Sequence, residues 1–279
     1  MNIEELVWHA GNMRKNVLRM SYECGGNAHV GGALSMIEMI AALYGYKMNI
    51  ASFPESEYGI RDKFILSKGH GVLALYTALA EFGIIDVRIL STFQKKDTDL
   101  IAHPVMNPSL GIECSSGSLG QGIAMAVGLA LAAKRKKYKY QVYTICGNGE
   151  CNEGAVWEAI MSAVSFKLDN FTLMIDNNSM QSDGFSTEVL NVSGQYADML
   201  KAVGFQVICV DGHDMNELIS ALDEKHIPHR PKAIVAKTVK GKGISFMENN
   251  NSWHHNRLTK MQFDLAMVEL EEMYGNKKE

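Results

Sequence analysis

Five short apolar runs restrict what this chain can fold into more than any other feature: Phe64 to Leu66, Val142 to Cys146, Phe171 to Ile175, Gln206 to Val210 and Ala233 to Ala236. Each has strand length, and helical patterns separate them. Glu153 to Leu168 reads as a helix, and so does Met215 to Lys225, where Asp214 is a suitable N-cap and Leu218, Ile219 and Leu222 share one face. Ile123 to Ala133 reads as a buried helix that follows a glycine loop. Strands alternating with helices predict an α/β fold, a doubly wound, mostly parallel sheet with helices on both faces. With 279 residues, 47% of them apolar, the chain can bury a large core, and residues 1–279 are expected to form a single domain.

In such sheets ligands sit at the carboxyl ends of the strands. Gly147 to Glu150, Asp176 to Asn178 and Asp211 to His213 fall there. In Cys146-Gly147-Asn148-Gly149-Glu150 the glycines let backbone amides approach an anion, and the helix that follows adds its positive end. Mg²⁺ takes about six oxygens and usually shares them with phosphate. Taken alone, this segment reads more readily as a polar turn followed by an ordinary strand end. A nicotinamide cofactor is the least favoured reading, because no Gly-x-Gly-x-x-Gly joins a strand to a helix near an acidic ribose partner.

Other blocks accompany it: Ala28-His29-Val30-Gly31-Gly32, Arg61 through Gly69-His70, His103-Pro104, Gly117-Ser118-Leu119-Gly120-Gln121-Gly122, Lys237 through Gly243, and Ser252-Trp253-His254. In content and order they resemble the transketolase family over nearly the whole chain. The resemblance implies the thiamine-diphosphate-binding fold, with thiamine diphosphate and Mg²⁺, or another divalent cation, as cofactors. It places His70, Asn178, Lys240, His254 and the backbone around Gly117, Leu119 and Gly149 at the cofactor. It assigns the metal to Asn148, Asn178 and the carbonyl of Met180, and substrate hydroxyls and proton transfer to His29, His103 and His254.

The family form at the metal is Gly-Asp-Gly, so Asn148 is a departure. Loss of one carboxylate charge beside the ion costs on the order of 1–4 kcal/mol, roughly a 10- to 1000-fold weaker site. Glu150 and Asp176 are the candidates to compensate by a small shift. Ala102 also departs from the family beside His103, and the departures Ala28, Val30 and His255 reshape the substrate entrance. Glu153 and Glu158 match carboxylates of the family's subunit interface, with Trp157 packing between them. His9, His213, His226 and His229 receive no role.

The match stops where a full-length transketolase would begin its pyrimidine-binding domain. The resemblance therefore implies the N-terminal subunit of a split transketolase, inactive alone. It would be completed by a C-terminal subunit in an α₂β₂ assembly and would move a two-carbon ketol unit from a ketose, phosphorylated or related, to an aldose. The alternatives are a non-catalytic subunit whose metal site Asn148 disables, or another thiamine enzyme such as a deoxyxylulose-phosphate synthase or a 2-oxo acid dehydrogenase component. A net charge of −4 without a basic stripe suggests neither nucleic acid nor an anionic membrane. The charged N-terminal segment, with Glu4, Glu5, Arg14 and Lys15, excludes a secretory apolar core, and Ile123 to Ala133 is too short to span a bilayer. Five cysteines without Cys-x-x-Cys spacing read as reduced thiols, and the cytoplasm is the expected location. Lys260 to Tyr274 reads as an amphipathic helix that packs on the core or meets a partner, followed by a frayed Lys-Lys-Glu tail.

Overall fold

A computed structural model describes residues 1–50 and 61–275; the Lys-Lys-Glu tail lies outside the described residues. All five apolar runs are strands: β1 (Lys63–Leu66), β2 (Val142–Gly147), β3 (Phe171–Asn177), β6 (Gln206–Asp211) and β7 (Lys232–Lys237). They pair in parallel in the order β1-β2-β3-β7-β6. A small antiparallel hairpin, β4 (Met180–Gln181) with β5 (Gly184–Phe185), follows β3.

The continuous apolar runs arise because both faces of the sheet are covered. Successive side chains of one strand enter different cores. Tyr143 and Ile145 of β2, Met174 of β3 and Ile234 of β7 join one cluster, while Val142, Cys146, Leu173 and Val235 join the other. The first cluster is closed by α1 (Ile3–Glu23), α2 (Val30–Leu34), α3 (Ile37–Ala42), α4 (Val72–Glu81), α9 (Met215–Asp223) and α10 (Lys260–Tyr274). The second is closed by α5 (Gln121–Lys136), α6 (Gly154–Ser165) and α8 (Tyr196–Val203), and a short α7 (Ser186–Val189) follows the hairpin. Among the described residues the edge strand β6 has only β7 beside it, and Cys209 is exposed there.

Asp214 caps α9 through the amides of Asn216 and Glu217, as the sequence predicts. Helix α6 is shorter than expected: Glu153 is extended, and the chain leaves the helix before Lys167, whose φ is +55°. Helix α5 is not buried all round. Ile123, Ala126, Val127, Ala130 and Ala133 face the core, whereas Met125 is 54% exposed and Ala124 and Gly128 lie on the same open side. Small apolar residues on an outer face look like core residues by composition alone. Helix α10 packs on α1: Tyr22 and Phe263 stack with ring centroids 4.6 Å apart, and a Cβ on Gly11 would lie 2.6 Å from Tyr274.

Candidate active site

The carboxyl ends of β1, β2, β3 and β7 open into a cavity of about 370 Å³. Every residue predicted for the cofactor, metal or substrate contributes to its lining. His29 precedes α2, and the mutual backbone hydrogen bonds of Ala28 and Asn256, 3.0 and 3.1 Å, bring the His254-His255 turn against it. His70 sits in the turn after β1. His103 lies under Gly117, where an added Cβ would stand 3.0 Å from its ring. Gly117 has a φ of +153°, so a side chain there meets both crowding and backbone strain.

These loops assemble an imidazole cluster around His29. Its ring centroid lies 5.2 Å from that of His70, 5.9 Å from His103, 5.4 Å from His254 and 4.3 Å from His255. Burial, followed by the nearby His255 and His254, lowers the His29 pKa to about 3. Burial and the Lys240 ammonium lower His254 to about 4. Burial and Lys68 hold His70 well below its ordinary value. Near neutral pH these three rings are therefore uncharged, each with one donor and one acceptor nitrogen, which suits sugar hydroxyls and proton exchange with them. Nδ1 of His254 is buried without a hydrogen-bond partner among the described residues.

Positive charge lies beside this cluster. Lys240, only 2% exposed, donates to the Gln181 carbonyl at 3.2 Å and to Asn251 Oδ1 at 3.0 Å. Both acceptors are neutral, and burial followed by Lys68 lowers its pKa to about 8. A buried ammonium that meets only neutral acceptors is a natural anchor for an anion. Gly149 leaves open space next to it: a Cβ there would approach Gln181 to 3.2 Å.

Two carboxylates expected to compensate for Asn148 are committed elsewhere. Asp176 is fully buried and accepts from Lys68, from Thr238, from Ser35 at 2.5 Å and from Asn178 Nδ2 at 3.2 Å. Burial would raise its pKa, but the Lys68 ammonium and these donors hold it below the usual range. Glu150 accepts from Ser67 at 2.6 Å, Gly120 N at 2.8 Å and Gly147 N at 3.3 Å, and burial pushes its pKa up. It joins the ends of β1 and β2 to the loop that leads into α5. Neither carboxylate is free to turn toward an ion.

The residues predicted for the metal do meet. Asn148 Nδ2 donates to the Met180 carbonyl at 3.2 Å and to Ser186 Oγ at 2.7 Å. Asn178 Oδ1 accepts from Met180 N at 3.1 Å. Among the described residues no group of three or more His, Cys, Asp or Glu is placed to hold a metal. A divalent cation would therefore rely on amide and carbonyl oxygens together with phosphate. The spacing suits it: two neighbouring oxygens of an octahedral ion at about 2.1 Å stand about 3.0 Å apart, close to the 3.2 Å between Asn148 Nδ2 and Met180 O. Turning the amide over would present an oxygen there.

Glu153 and Glu158 are exposed, and Trp157 is half-buried with its indole N–H donated to Cys151 O at 2.8 Å. Sequence reasoning missed His213. Its Nε2 accepts from Val239 N at 2.9 Å, while its Nδ1 faces Glu38 at 3.0 Å, and Glu38 is held by the buried Arg14 at 2.8 and 2.9 Å. This relay anchors the loop that carries Lys240. Its position at the end of β6 was legible, but its partners on α1 and α3 were not.

A parallel sheet whose carboxyl edge gathers glycine loops, a buried lysine and uncharged imidazoles defines an α/β domain built for a phosphorylated cofactor. Residues 17–275 match the family profile described as transketolase, thiamine diphosphate binding domain. The 6-deoxy-6-sulfo-D-fructose transketolase subunit SqwG of Clostridium sp. (strain MSTE9) is 40% identical over 251 residues, 88% of this chain and 89% of that protein. An apulose-4-phosphate transketolase subunit from Actinobacillus succinogenes is 34% identical over 273 residues, 98% of each chain. The crystal structure of transketolase from Campylobacter jejuni superposes with a TM-score of 0.86 at 29% identity, over 99% of this chain but 43% of that one. The chain belongs to the transketolase family, as an N-terminal subunit carrying the thiamine-diphosphate-binding domain. These relatives do not favour a deoxyxylulose-phosphate synthase, a 2-oxo acid dehydrogenase component or a non-catalytic subunit. Among the described residues no helix is long and apolar enough to cross a membrane.

Proposed function

We propose that this chain, acting as one domain over residues 1–279, binds the diphosphate end of thiamine diphosphate, and that a partner chain supplies the pyrimidine-binding domain in an α₂β₂ assembly. The pair transfers a two-carbon ketol unit from a ketose to an aldose. One observation carries this reading: Lys240, the glycine loops and the uncharged imidazoles of His29, His70 and His254 converge on one cavity. Lys240, His70 and the backbone of Gly117, Leu119 and Gly149 hold the diphosphate; Asn148, Asn178 and the Met180 carbonyl serve a divalent cation. When bound, the cofactor supplies the carbanion chemistry that breaks and forms the carbon–carbon bond.

His29, His103 and His254 orient sugar hydroxyls and exchange protons with them through the ring nitrogens that face the cavity. The relatives' names point to ketoses outside the common pentose phosphates: a 6-sulfonated hexulose and the phosphorylated branched sugar apulose. Such ketoses are the donors to test. Free cysteines support a reducing compartment, and we place the enzyme in the cytoplasm.

The test is co-expression with the product of the neighbouring gene, followed by assay of ketol transfer from sulfonated, branched and ordinary ketose donors. Transfer by the pair, and none by either chain alone, is the expected outcome. A pair that assembles but never binds thiamine diphosphate, or that turns over pyruvate in place of ketoses, overturns the reading.

A further inference from the structure

Asn148 is 1% exposed and its backbone is pinned on both sides: its N–H donates to Asp176 O at 3.1 Å, and its carbonyl accepts from Tyr196 OH at 2.7 Å. The side chain cannot swing out, so its one remaining freedom is rotation of the terminal amide. A carbonyl oxygen only accepts hydrogen bonds, so without a cation the amide nitrogen must face Met180. With a cation between them, the amide oxygen faces it instead. Ser186 satisfies either orientation, because a hydroxyl both donates and accepts. An ionised carboxylate has no such choice: it would oppose the Met180 carbonyl with an oxygen and need a cation to bridge them.

Resting on the functional reading above, we propose that Asn148 makes the divalent cation optional, its Nδ2 hydrogens taking the cation's place at the Met180 carbonyl while Lys240, His70 and the loop amides hold the diphosphate. Charge balance points the same way. Asp176 and Glu150 are saturated by their own donors, so neither remains for a cation to neutralise. With a neutral side chain at position 148, the diphosphate meets less repulsion, and the need to offset that repulsion falls with it. The site then has two complete states, one closed by hydrogen and one by metal.

The test is calorimetric titration of thiamine diphosphate into the chain assembled with its co-expressed partner, once with excess Mg²⁺ and once with EDTA. For the wild type, Kd should change by less than about tenfold between the two buffers, and for Asn148→Asp by about 100-fold or more, the range expected when a full charge faces the ion. Wild-type binding that disappears in EDTA overturns this inference and leaves the functional reading intact. Binding in neither buffer by an assembled complex overturns both. If Asn148→Asp fails to assemble, the two wild-type titrations still decide the matter.

Discussion

Two histidine environments lie within the same half of the molecule, and they differ in what their nitrogens touch. His213 is saturated, with Nε2 on Val239 N at 2.9 Å and Nδ1 on Glu38 at 3.0 Å. His254 lines the cavity, its Nδ1 has no partner among the described residues, and the rings of His29, His70 and His254 lie 5.2 to 5.4 Å from one another. A side chain whose hydrogen-bonding capacity is used up by the protein holds structure; one whose capacity is left over is available to a ligand. The distinction is physical and open to attack.

Its sharpest test is His254→Ala. If this imidazole serves substrate, kcat/KM of the assembled enzyme should fall by about 100- to 10,000-fold, with the thermal midpoint unchanged. A fall in stability of the same variant, with activity per folded molecule intact, would erase the contrast. Next in size is Glu38→Gln. It leaves the buried guanidinium of Arg14 without its carboxylate and weakens the grip on His213. A loss of about 3–5 kcal/mol in denaturant unfolding is expected, whereas a loss under about 1 kcal/mol would show that the relay is not a structural anchor.

A third test lies in the pH dependence. His29 and His254 titrate near 3 and 4 in the folded chain, against 6.5 as their ordinary value. Below about pH 6.5 the unfolded chain therefore binds protons that the folded chain refuses. Their contribution to stability is fully present above that pH and is lost progressively as pH falls toward 4. The thermal midpoint should decline between pH 7 and pH 5, and less steeply in His254→Ala; parallel curves would mean that the cluster is not the source.

Much of this was legible in the sequence. The five runs announced their strands because burial on both faces leaves no polar alternation to blur them. Their glycine- and histidine-bearing ends announced the cavity, because chemistry in such sheets collects at carboxyl edges. What stayed hidden depends on pairings across long stretches of chain. His213 and Glu38 are 175 residues apart, so nothing near either one marks the relay. The open side of α5 was hidden because Ala124 and Gly128 read as core by type. The commitments of Asp176 and Glu150 were hidden because a charge next to a motif shows no sign of which donors will claim it.

The saturated carboxylate of Asp176 also bears on how the molecule assembles. Its distant donors Ser35, Lys68 and Thr238 lie 141, 108 and 62 residues away along the chain, two before it and one after. Contacts of such separation form slowly, since loop closure must precede any gain from them. The floor of the cavity therefore cannot precede the sheet: an intermediate without β7 lacks Thr238, retains an undersatisfied charge in its interior, and has nowhere ready for a diphosphate to settle. Cofactor added during refolding should accelerate no early phase and should trap only the last.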